Sequence, residues 1–146
     1  MRRTVAALLV VLALGLAGCG DEDSALDHSE PAQIRVDIEQ QNDSGETGTA
    51  ALFLLPERQT QVTLELNGMP RDSLQPAEIR TGTCDDLDAE AAHTLRPVRP
   101  NPNGFGRSVT RLPVGLEELQ SGGFAIVVRR SAASEVLAAC GGIPTP

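Results

Sequence analysis

The stretch Thr60–Gly68, TQVTLELNG, alternates polar and apolar residues along its length. Val62, Leu64 and Leu66 fall on one side, and Gln61, Thr63 and Glu65 on the other. Successive side chains of a strand point to opposite faces, so a period of two predicts a half-buried β-strand. The same rhythm runs upstream through IRVDIEQ (34–40), where Ile34, Val36 and Ile38 oppose Arg35, Asp37 and Glu39. Between them, QNDSGETG (41–48) is a turn-rich break and TAALFLL (49–55) a second strand. PERQ (56–59) reads as a hairpin loop, without the Asn-Gly pair that two-residue hairpins favour.

Downstream, MPRDSLQP (69–76) is a loop and AEIRTG (77–82) a short strand leading to Cys84. Residues 85–106 read as one long irregular segment, acidic at first (Asp85, Asp86, Asp88, Glu90) and then rich in Pro and Gly. RSVTRLPV (107–114) is the next strand. GLEELQSGG (115–123) predicts one or two helical turns, with Gly115 in the cap position and Gly122-Gly123 as the stop. FAIVVRR (124–130) is almost continuously apolar, as a central strand would be, and EVLAACGGI (135–143) is the last strand. Short strands separated by turn signals predict an all-β fold, an antiparallel Greek-key sandwich over residues 34–146 with one short helical segment. With three Phe and no Trp or Tyr, its core rests on Leu, Val, Ile and Ala.

The 146 residues suffice for one domain. Arg2 and Arg3 precede an apolar run from Val5 to Leu16. The run is shorter than the about 20 residues that span a hydrocarbon core, so it predicts a secretory signal peptide over residues 1–18. Its end, Leu16-Ala17-Gly18-Cys19, resembles the lipobox of bacterial lipoproteins. That resemblance implies cleavage before Cys19, diacylglycerylation of its thiol, and an extracytoplasmic protein whose partner is the membrane. Two or more acyl chains anchor stably where one binds marginally. Residues 20–33, GDEDSALDHSEPAQ, are acidic and poor in apolar groups, a flexible tether in which His28 is solvated.

Of 12 basic residues, all arginine, cleavage would remove Arg2 and Arg3 and no acid, leaving 10 against 20 acids and a net charge near −10. Such a balance disfavours nucleic acid and anionic lipid surfaces as partners. With Cys19 lipidated, Cys84 and Cys140 remain, either as two thiols or as one bridge in an oxidising compartment. A bridge would close a long loop, worth ~4 kcal/mol in the chain-entropy model.

Taken together, GTAALFLLPERQTQVTLELNGMP, QPAEIRTGTC, GLEELQSGGFAIVVRRS and VLAACGGIP resemble the superoxide-dismutase-like and CHRD-like sandwich domains of bacterial envelope lipoproteins. More distantly they resemble the Cu/Zn superoxide dismutases. The markers are the PAxIxxGTC frame, the LxxLxSGGxAIxV segment and the AACGxI ending. The resemblance implies a Cys84–Cys140 disulfide. It also implies histidines at positions where this chain has Glu78, Arg80 and Arg129, and a guiding arginine where it has Leu137.

The two histidines present, His28 and His93, cannot rebuild a Cu/Zn pair, and a guanidinium stays protonated and cannot ligate. No metal, cofactor or dismutase activity is therefore expected, and the expected role is structural or ligand-binding. The alternative is an enzyme or metal carrier with a rebuilt metal site. Glu78 and Arg80 share a strand face, and Arg129 approaches if the fold holds. Either the three form an ion-pair cluster, or they point into solvent on the wet outer face, the version the sequence favours.

Four other groups invite weaker readings. Asp85, Asp86, Asp88 and Glu90 carry the oxygen ligands Ca²⁺ uses, but lack an EF-hand's ordered turn, so a solvated loop is expected. Arg96, Arg99, Arg107, Arg111, Arg129 and Arg130 would receive a carboxylate-rich or polyanionic partner if they shared a face; scattered charges are the plainer expectation. The 85–106 segment offers a protein-binding loop. Ser108, Ser121, Ser131 and Ser134 have only His93 as a base, so no hydrolase is expected.

Overall fold

A computed structural model describes residues 32–146. The expected signal peptide, Cys19, His28 and most of the tether lie outside the described residues. Among the described residues eight strands follow in order: β1 (Gln33–Gln40), β2 (Thr47–Leu55), β3 (Gln59–Asn67), β4 (Ala77–Thr83), β5 (Asp86–Thr94), β6 (Gly106–Leu112), β7 (Phe124–Ser131) and β8 (Ser134–Gly142). One short helix, α1 (Leu116–Ser121), precedes β7, with Gly115 at its N-cap and Gly122 at its C-cap. All strand pairs are antiparallel, as the alternation predicts.

The strands form one ladder in the order β5-β4-β7-β8-β1-β2-β3-β6. β1 joins its two halves. Residues 33–38 of β1 pair with β2, and Glu39 and Gln40 pair with Cys140 and Ala139 of β8. The sheet curls around a single apolar interior. One half contributes Val36, Ile38, Leu52, Val62, Leu64 and Leu66; the other contributes Ile79, Ile126, Val128 and Ala139. These are the inward positions of the period-two pattern, and each fully buried Leu, Ile or Val stabilises the fold by ~1.5–3 kcal/mol. Met69, Val98, Leu116 and Leu119, from the connections, pack against the same core.

Residues 85–106 are not irregular throughout. Asp86–Thr94 is a strand, hairpinned onto β4 from Thr83↔Asp86 to Glu78↔Thr94 across two register shifts. As an edge strand it is mostly exposed; its sequence does alternate, Asp86, Asp88 and Glu90 against Leu87, Ala89 and Ala91, but Asp and Ala are poor strand formers and only Leu87 offers a sizeable apolar side chain, so the run of acids reads as a loop. The stretch after it is irregular, as expected, but anchored: Gln75 and Val98 exchange main-chain hydrogen bonds of 3.0 and 2.9 Å.

The register shift at Gly82 depends on glycine. Its φ of 115° is closed to other residues, and a Cβ there would collide with the Asp86 carbonyl.

Candidate functional site

β7 is central, between β4 and β8. Its inward residues Ile126 and Val128 belong to the main core, while Ala125 and Val127 face outward. They are nonetheless fully buried, in a second small cluster with Cys140 that Cys84, Leu87 and Leu137 pack against. The Cys84–Cys140 disulfide lies in this cluster, its Cα atoms 5.9 Å apart and its cysteines separated by 56 residues. Cys84 sits in the β4–β5 turn and Cys140 opposite Val127, so the bridge pins that hairpin to β8.

The same outer face carries Glu78 and Arg80. Glu78 stands opposite Val127 and Arg80 opposite Ala125. Directly opposed residues bring their Cβ atoms to ~4.5–5.5 Å, and the diagonal neighbour is within reach of a long side chain. Arg129 occupies that diagonal. Its Nη2 donates to Glu78 Oε1 at 3.1 Å. Arg80 donates from Nε to Glu78 Oε2 at 2.9 Å, with its Nη2 2.8 Å from the same oxygen.

A fourth residue closes the circuit. Glu135 lies 3.1 Å from Arg129 Nη1 through Oε1 and 3.5 Å from Arg80 Nη2 through Oε2. Two carboxylates and two guanidiniums thus alternate in a ring that links β4, β7 and β8. The side chains of Arg80, Glu78 and Arg129 are only 10%, 12% and 14% exposed, whereas Glu135 is 77% exposed and covers the ring from outside.

The solvated version favoured from sequence is therefore corrected: these side chains pair with one another and are largely withdrawn from water. Ala125 and Val127 stand opposite Arg80 and Glu78 on this face, and arginine stems can lay apolar methylenes over such surface while the heads find charge. One atom is left over, since Arg129 Nε is buried without a hydrogen-bond partner.

The chemistry of this ring is complementary charge, not coordination. Both oxygens of Glu78 are engaged by guanidiniums, and guanidiniums do not ligate. The residues at the positions in question do not fit copper or zinc. Neither protein-family models nor curated proteins match the chain.

The other candidate residues are not brought together into a site. Asp86, Asp88 and Glu90 run along the exposed edge of β5. Among the described residues no three His, Cys, Asp or Glu side chains converge as metal donors. His93 stands opposite Ile79 in the β4–β5 pair, its ring 6.4 Å from that of Phe124. The arginines disperse: Arg107 binds Glu65 at 3.1 Å, Arg130 donates to the Asn42 carbonyl, and Arg129 belongs to the ring. Arg96 and Arg111 line a shallow groove with Gln61.

Sequence reasoning missed Glu135. It is the second residue of β8, with nothing local to mark it. A register shift between Val128↔Ala139 and Arg129↔Leu137 precedes the tight Ser131↔Ser134 turn that brings it back toward Arg129.

Proposed function

We propose that this protein is a lipid-anchored component of a bacterial cell envelope, held to the membrane through Cys19. On this reading its domain is a metal-free, superoxide-dismutase-like sandwich with a structural or binding role rather than a catalytic one. The observation that carries the non-catalytic reading is the engagement of both Glu78 oxygens by Arg80 and Arg129. It puts a charge-paired cross-link at the place where the family resemblance calls for imidazoles. The Cys84–Cys140 disulfide supports an exported protein, since such bridges persist in oxidising compartments. Among the described residues no helix is long and apolar enough to cross a membrane. The strongly acidic balance of 20 acids against 12 arginines argues against nucleic acid as the partner.

Elemental analysis of the purified full chain, with a superoxide assay beside it, tests the non-catalytic reading. Substoichiometric metal and no dismutation are expected; copper or zinc at one equivalent per chain overturns it in favour of a rebuilt metal site. Cell fractionation of Cys19→Ala tests the anchor. Release from the membrane fraction is expected, and unchanged membrane retention overturns it.

A further inference from the structure

Glu46 and Gln75 are each 1% exposed, and neither belongs to the ion-pair ring. Glu46 ends the β1–β2 connection, and Gln75 is the penultimate residue of the segment before β4. Gln75 Nε2 donates to Glu46 Oε1 at 2.8 Å. The other two oxygens, Glu46 Oε2 and Gln75 Oε1, are buried with no hydrogen-bond partner.

Two orphaned acceptors in one contact form a specific pattern. An ionised carboxylate can accept from the amide nitrogen, but it has no donor to return, so the remaining oxygen of each group stays unpaired. Whichever way the amide is turned, an ionised carboxylate offers its oxygen no donor. A single proton resolves this, because a protonated carboxyl supplies one donor as well as an acceptor. We infer that Glu46 is a neutral carboxylic acid in the folded protein, its Oε2–H donating to Gln75 Oε1, so that the two side chains close a doubly hydrogen-bonded, proton-dependent clasp.

The surroundings agree. Burial raises the Glu46 pKa above its ordinary value and outweighs two opposing influences, the Gln75 hydrogen bond and the attraction of Arg130. Arg130, on β7, is the charged group acting on Glu46, and its guanidinium is engaged by the Asn42 carbonyl. On its own segment, the Glu46 main-chain N–H is satisfied by Ser44 Oγ at 3.0 Å. The clasp joins three connections, because the Gln75 main chain is itself paired with Val98 on both sides.

Its pH dependence has a definite sign. With the folded pKa raised above the unfolded one, the stabilisation is fully present below the unfolded pKa. It is lost as pH rises through the folded pKa, when a carboxylate would be left buried against an amide oxygen. The clasp therefore holds the 41–46 and 69–76 connections together in acid and weakens them in alkali.

Carboxyl-carbon NMR titration of the full chain, with unfolding measured across pH for wild type and Glu46→Gln, tests this. Glu46 is expected to titrate at higher pH than the exposed glutamates. Glutamine at position 46 keeps the paired geometry without a titrating proton. Relative to that variant, the wild-type unfolding constant is expected to rise by about tenfold per pH unit between the unfolded and folded pKa values. Titration of Glu46 together with the exposed glutamates, or an identical pH slope in the two proteins, overturns the inference. If Glu46→Gln does not fold, the wild-type titration decides alone.

Discussion

Glu78 on β4 and Arg129 on β7 are joined by a 3.1 Å hydrogen bond between largely buried side chains, 51 residues apart in the chain. A pair withdrawn from solvent is screened little by salt, and removing one member strands the other's charge. Replacement of Glu78 by Gln is expected to cost about 3 kcal/mol, with two guanidiniums left to share the exposed Glu135. Replacement of the exposed Glu135 by Gln is expected to cost less than about 1 kcal/mol. A double-mutant cycle on Glu78 and Arg129, read by urea unfolding, is expected to give a coupling of about 1–3 kcal/mol. Additive losses would show that the ring does not act as a unit.

The disulfide and the ring share the outer face of the β4–β7–β8 region but act differently. A bridge across 56 residues restricts the unfolded chain, at about 4 kcal/mol in the chain-entropy model. Cys84→Ser with Cys140→Ser is expected to lower stability by roughly this amount and to increase hydrogen exchange along β5. β5 is the edge strand whose turn the bridge pins. Unchanged protection of β5 in the double variant would place the effect in the unfolded state alone.

The β2–β3 hairpin runs through Pro56–Arg58, where Glu57 and Arg58 both have positive φ, 61° and 55°. Non-glycine residues in that region cost ~1–3 kcal/mol each, and Asn and Gly adopt it most readily. The contact of Arg58 with Glu117 offsets little of this, at 3.8 Å with both side chains mostly exposed. Glu57→Asn with Arg58→Gly is expected to raise stability by about 1 kcal/mol by thermal unfolding. A lower melting temperature would mean that the native side chains hold the turn through contacts of their own.

Gly82 makes the opposite prediction. Alanine there would need a disfavoured φ and would bring its Cβ against the Asp86 carbonyl, so the β4–β5 register would have to move. A loss of more than about 1 kcal/mol is expected, with the damage concentrated in β5. Crystallography of the variant would show whether the Thr83↔Asp86 pairing survives.

Legibility in the sequence varied with burial. β1 and β3 were readable because each alternates polar residues with apolar ones that line the core, and β7 because it is apolar on both faces. β5 was missed for the converse reason: DLDAEAAHT is exposed almost throughout and is held by main-chain bonds to β4, which side chains do not advertise. In the ring, the shared face of Glu78 and Arg80 followed from their two-residue spacing. Their withdrawal from water did not, because it required Arg129 and Glu135 to arrive from other strands. Glu46 sat in a turn-rich break and Gln75 in a loop, and neither position suggested a buried pair.

The sequence by itself determined which segments are strands with a core face, where the turns fall, and that two cysteines remain for a bridge once Cys19 is set aside. These are properties of neighbours along the chain, written in a period of two residues. Only the tertiary structure decided that Glu78, Arg80, Arg129 and Glu135 meet, and that Glu46 is enclosed against Gln75. The partners in each case come from strands or loops far apart in sequence. Register between such segments is set by how the whole sheet pairs and curls, which no local pattern encodes.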